Sequence, residues 1–163
     1  MSRAAFIRPV ALAAVLLCFV VVVLGAYVRL SAAGLGCPDW PGCYGHFTPA
    51  AGSALDDATV EAGKAWKEMI HRYAAATLGL LITVIVALAI QTRRERVVSL
   101  FYALGLLALV IAQGILGMLT VTRLLEPVIV TAHLLLGLTT LALLWWLVLT
   151  LGRRQLSAWR GSP

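Results

Sequence analysis

Four apolar stretches separated by short polar connections dominate this chain, and they leave few folds open. They run at about Pro9–Val28, Trp66–Gln91, Val97–Thr120 and Pro127–Leu151. A hydrocarbon core of about 30 Å is crossed by roughly 20 helical residues, which each stretch supplies. With 61% apolar residues and a mean hydropathy of +0.95, the composition is not that of a water-soluble globule. Little sequence remains for a second domain once the spans are removed. The expectation is an all-α membrane protein, with residues 1–163 forming one four-helix domain.

The formal charge of +6 is distributed by topology. Arg3 and Arg8 precede the first span, Arg93, Arg94 and Arg96 separate the second from the third, and Arg153, Arg154 and Arg160 follow the fourth. Under the positive-inside rule these segments are cytoplasmic, both termini face in, and a loop at about 29–65 faces out. Glu95 is the one acidic residue on the inner side. A basic chain organised in this way points to a cell membrane and its lipid bilayer, not to nucleic acid. The first span also resembles a signal peptide ending at Ser31-Ala32-Ala33, but its length and Arg29 favour a retained helix. Short connections at Thr92–Arg96 and Arg123–Glu126 make neighbours antiparallel, giving an up-down-up-down bundle. Pro127 suits the first position of the fourth helix, and Asp57 is placed to cap a short helix from about Ala58.

The outer loop carries Cys37-Pro-Asp-Trp-Pro-Gly-Cys43 in a Pro/Gly-rich turn. On an oxidising face the two cysteines could close a compact disulfide. A structural bridge and a reversible dithiol both fit, and with His46 the pair could begin a zinc site that lacks an evident fourth ligand. Cys18, inside the first span, reads as packing.

Two of three histidines lie within spans. His71 is about five residues into the second helix and His133 about six into the fourth, both counted from the outer end. At 1.5 Å per residue both imidazoles should sit about 7–9 Å below the outer boundary. Two neutral imidazoles at one depth suit bis-histidine ligation of haem iron. Ala75 and Gly79 follow His71, and Gly137 follows His133, on the same helix faces. Such small residues leave room for a macrocycle, although they also serve plain helix packing. Glu68, three residues before His71, could orient water, move protons or stabilise a cation. Its place near a helix N-terminus, with Arg72 four residues on, gives it an ordinary structural use as well. Gln113 is suited to a cofactor contact or an interhelical hydrogen bond, and Arg29 and Arg72 to haem propionates or to interfacial anchoring.

These residues resemble the haem A synthase family. The likeness runs through Gly25-Ala26-Tyr27-Val28-Arg29, Gly34-Leu35-Gly36-Cys37-Pro38-Asp39-Trp40-Pro41-Gly42-Cys43 and Glu68-Met69-Ile70-His71-Arg72. It continues in Gln113-Gly114-Ile115-Leu116-Gly117, in Leu119-Thr120-Val121-Thr122 and at His133, touching each span in order. The resemblance implies an oxidoreductase that converts a methyl substituent of haem O to a formyl group by successive hydroxylations at an outer-facing haem site. It implies His71 and His133 as iron ligands, Glu68 as a residue of catalysis, and Cys37 with Cys43 as the loop pair. It also implies haem b as cofactor, haem O as substrate, and a haem O synthase upstream.

Ser31-Ala32-Ala33-Gly34 departs from the family's usual loop entry. Family members also carry two four-helix units, each with a histidine pair, whereas this sequence holds one. Iron with two histidine ligands has no open position, so a second redox centre or loss of a ligand is required. A homo-oligomer would supply two sites and is expected on that ground. The competing readings are a bis-histidine b-type cytochrome that only carries electrons, and a haem-binding assembly subunit without chemistry of its own.

Overall fold

A computed structural model of the chain describes residues 3–49 and 59–160, with side chains described over 6–49 and 62–153. Four helices are present: α1 Arg3–Leu30, α2 Thr59–Gln91, α3 Leu100–Thr122 and α4 Pro127–Arg160. All four contain segments long and apolar enough to cross a membrane: Phe6–Leu30, Ala62–Gln91, Leu100–Thr122 and Pro127–Arg153. In such surroundings a helix satisfies its backbone polar groups internally. Threonine hydroxyls follow the same rule: Thr77, Thr83 and Thr140 donate back to carbonyls four residues earlier.

The helix bounds differ from expectation in instructive ways. Pro9 lies inside α1 instead of opening it, since a proline near a helix start forfeits one bond without ending the helix. Val97 and Val98 belong to the connection before α3, whose N-cap is Ser99 in an extended conformation. Buried Val98 therefore packs from a turn. α2 begins before Trp66 and runs into the span without interruption. The proposed cap at Asp57, before Ala58, lies outside the described residues.

Sequential helices pack side by side and α4 closes against α1, so α2 and α4 stand on one diagonal and α1 and α3 on the other. The interior is divided into two storeys. Away from the disulfide loop, Ile7, Ala11, Ala14 and Cys18 of α1 meet Leu78, Ile82, Ile85 and Ala89 of α2, at helical spacing. Leu106 and Leu144 complete this buried cluster from α3 and α4. The alanines let backbones approach closely, which matters where lipid gives no hydrophobic push between helices. The Tyr102 hydroxyl donates to the Leu143 carbonyl at 2.6 Å and ties α3 to α4. Toward the loop, the bundle holds side chains that are only partly buried, His71, Ala75, Gln113, Gly117, His133 and Gly137 among them.

The α3–α4 connection reaches the same end as the first loop. Leu124 and Leu125 both have positive φ, 50° and 61°, and the Leu125 amide donates to the Thr120 carbonyl at 2.8 Å. This closes α3 in a left-handed cap. A Cβ built on Gly34 would lie 3.2 Å from the Leu125 side chain, so the two loops touch. Arg93, Arg94 and Arg96 lie in the connection at the opposite end.

Candidate functional site

The loop after α1 is folded by its own polar groups before it meets the helices. The Asp39 carboxylate accepts the backbone N–H groups of Tyr44 at 2.6 Å and Gly45 at 2.8 Å. Slight burial raises the Asp39 carboxyl, but the Gly45 and Tyr44 donors, joined by Arg72, outweigh it and hold the group below its ordinary value. Those two amides can converge because Tyr44 and Gly45 take φ of 53° and 77°. Cys43 and His46 exchange backbone hydrogen bonds at 2.8 and 3.1 Å. Cys37 and Cys43 form a disulfide with a Cα separation of 4.8 Å. Both thiols are therefore consumed, and the zinc alternative with exposed His46 has no thiolate to build on.

α2 receives this loop along one face. Cys37 and Cys43 are fully buried with Ala65 and Met69. A Cβ on Gly36 would come 2.7 Å from the Ala65 nitrogen and the Lys64 carbonyl carbon, so only glycine permits this approach. Glu68 is 4% exposed. Its Oε2 accepts the Cys37 N–H at 3.0 Å, and its Oε1 accepts from Arg72 Nη2. Arg72 Nη1 donates to the carbonyls of Asp39 at 2.9 Å, Gly42 at 2.5 Å and Pro41 at 3.3 Å. Farther along the helix, the Tyr73 hydroxyl donates to the Phe47 carbonyl. Glu68, Arg72 and Tyr73 thus fasten the loop to the helical turn that carries His71.

His71 itself turns to the bundle interior. A Cβ on Gly25 of α1 would lie 3.1 Å from its Cε1, and a Cβ on Gly117 of α3 would lie 3.6 Å from Cε1 of His133. Each imidazole therefore faces a glycine on a neighbouring helix. Gly25 is five residues before the end of α1 and Gly117 five before the end of α3, about 8 Å along each axis. The two rings sit at matching depth on diagonal helices. One turn deeper, a Cβ on Gly137 would be 3.6 Å from Gln113 Oε1.

Among the described residues, the buried side-chain nitrogen and oxygen atoms without a hydrogen-bond partner are His71 Nδ1, His133 Nδ1 and Gln113 Nε2. Buried polar groups are nearly always satisfied, so three orphans in one storey call for a ligand with matching chemistry. Haem fits this set, with two imidazoles at one depth on diagonal helices to hold the iron and a buried amide one turn deeper.

Of the other expected site residues, Arg72 is occupied by the loop and Glu68, and Arg29 is exposed at the end of α1. Lys67 was not singled out in the sequence; its ammonium lies 5.1 Å from the Tyr27 ring centroid. Its place one turn above His71 was the available signal. Gly25 and Gly117 as partners of the histidines were also missed, because each lies on a different helix from the ring it faces.

Comparison with known proteins adds an independent line. The model of a family described as Cytochrome oxidase assembly protein (COX15-CtaA) matches residues 8–162. A protein named Heme A synthase from Shewanella oneidensis is 46% identical over 147 residues, covering 85% of this chain and 43% of that protein. Another of the same name, from Lysinibacillus sphaericus, is 28% identical over 135 residues, covering 83% of this chain and 41% of that protein. The chain spans less than half the length of these curated relatives.

Proposed function

The chain belongs to the cytochrome oxidase assembly protein family COX15-CtaA, and from that membership we propose that it is a haem A synthase unit acting on haem O. The observation that carries this reading is the pair of matched, diagonally opposed imidazoles with unsatisfied nitrogens, His71 and His133. In this reading the two histidines hold haem iron, either of haem O as substrate or of a haem b cofactor. The methyl substituent of haem O is oxidised to a formyl group by two hydroxylations that draw oxygen from water, releasing four electrons and four protons, and the resulting diol loses water. The bound iron supplies redox chemistry when haem is present, and an electron acceptor outside the described chain takes up the electrons removed.

The protein's own part is positioning and electrostatics. Glu68 stands one turn toward the loop from His71 and is held by two donors, the Cys37 amide and Arg72. A fixed carboxylate stabilises positive charge developing near it without reorganising during the reaction. The disulfide loop, packed on α2, keeps water from that turn. The arginine distribution supports placing this loop on the non-cytoplasmic face, with both termini inside. The homo-oligomer expected from the sequence stays part of this proposal, because a symmetric pairing of such units brings two haem sites together. A sample that makes product as a strict monomer would remove the oligomer from this proposal.

The test is co-expression of this chain with a haem O synthase, followed by identification of the extracted haems. Haem A or its hydroxylated precursor is expected, and it should disappear in Glu68→Ala. Recovery of only haem B and unmodified haem O, from folded protein supplied with an electron acceptor, would overturn the enzymatic reading. It would leave the b-type electron carrier in its place.

A further inference from the structure

Gln113 is a polar side chain in the middle of an apolar helix, and its amide nitrogen is buried without a partner. Interhelical glutamines in membranes ordinarily find a carbonyl or a hydroxyl, and this one does not. Its position is specific. Gln113 lies four residues before Gly117 on α3, and it faces Gly137, four residues beyond His133 on α4. α3 runs toward the loop end and α4 away from it, so both contacts lie one turn deeper than the histidines, about 6 Å.

The chemistry of the proposed substrate supplies a matching group. Haem carries two propionates on one edge, and charge is expensive within hydrocarbon, so that edge faces the loop and water. The opposite edge then enters the deeper level. Haem O differs from haem B on that deeper edge, where a hydroxyethylfarnesyl group replaces a vinyl group. Its hydroxyl sits on the carbon attached to the ring. A hydroxyl both donates and accepts, so it answers an amide nitrogen that lacks an acceptor.

Building on the haem O reading, we infer that Gln113 is the specificity residue that distinguishes haem O from haem B by hydrogen-bonding the hydroxyethylfarnesyl hydroxyl. The farnesyl chain contributes affinity through apolar contact and is indifferent to the amide. Gln113 contributes only where the hydroxyl is present. Gly137 marks where the amide lies, since a Cβ there would meet Gln113 Oε1 at 3.6 Å, an ordinary van der Waals contact.

The experiment titrates haem O and haem B separately into the purified four-helix chain, as wild type, Gln113→Leu and Gln113→Met. Binding is read from the low-spin bis-histidine absorption spectrum. Haem O affinity should fall about three- to tenfold in both variants, the scale of one hydrogen bond, while haem B affinity stays unchanged. The tail's contribution cancels between wild type and variant when both are titrated with haem O. Equal loss for both haems, or no loss for haem O, would overturn the inference and leave Gln113 as helix packing. Failure of either haem to give a histidine-ligated spectrum in the wild type would overturn the parent reading as well. The two failures are therefore distinct.

Discussion

The carboxylate of Glu68 accepts the backbone N–H of Cys37 at 3.0 Å, across 31 residues of sequence. This bond joins the disulfide loop to the helical turn of a proposed haem ligand, and a second oxygen of the same carboxylate is held by Arg72. Glu68→Ala leaves the buried Cys37 amide and the guanidinium without that acceptor, a loss of about 1–3 kcal/mol. The Cys37–Cys43 bridge, fully buried in the native protein, should then be reduced and alkylated faster. Glu68→Gln keeps an acceptor for Cys37 and should protect the bridge better than alanine. If Glu68→Gln protects the bridge but still makes no haem A, the carboxylate acts on the substrate as well as on the loop. Thiol labelling after reduction and haem extraction measure the two effects on one preparation.

Gly36→Ala tests the docking without touching a polar group. The new Cβ would come 2.7 Å from α2 backbone atoms, which have no side-chain freedom to yield. The loop must lift, and thermal stability should fall by about 1–3 kcal/mol as an overpacked contact does. Gly45→Ala, where a Cβ meets nothing within 4 Å, carries only the cost of its positive φ. It should leave the disulfide protected.

Acid should loosen the turn around Asp39. Its folded carboxyl value is lowered, so the stabilisation is complete above the ordinary carboxylate value and is lost as pH falls through the folded value. Hydrogen exchange at the Tyr44 and Gly45 amides, corrected for its intrinsic pH dependence, should accelerate below about pH 4. Asp39→Asn keeps one acceptor and removes the titration. Its exchange should be faster at neutral pH and show no such acid step.

Gly25 and His71 form a contact that a single methyl group disturbs. Gly25→Ala places carbon 3.1 Å from the imidazole, which must shift by a few tenths of an ångström. Gly25→Leu cannot be accommodated that way. Under the haem reading, the alanine variant should bind haem with a perturbed low-spin spectrum, and the leucine variant should lose it as His71→Ala does. A leucine variant with the wild-type spectrum would take His71 out of the ligand set.

Four spans, their antiparallel order and the short turns were legible in the residues, because apolar length and turn chemistry act locally. The depth of His71 and His133 was legible for the same reason, since rise per residue converts position into height. The pairing of Cys37 with Cys43 needed only six residues of sequence and a turn between them. Tertiary structure decided what the side chains face. Arg72 and Arg29 look alike in sequence as anchors or propionate partners, yet Arg72 is taken up by loop carbonyls some 30 residues away. Glu68 reads either as a catalytic carboxylate or as an ordinary helix-end partner of Arg72, and the fold gives each of its oxygens a donor, one of them the distant Cys37 amide. Gly25 and Gly117 acquire meaning only when helices from distant parts of the chain bring a histidine to each. The sequence thus determined which segments cross the bilayer and how deep each polar group lies. Only packing decided which of those groups were satisfied and which were left open to a ligand, because hydrogen-bond partners are assigned by contacts between helices.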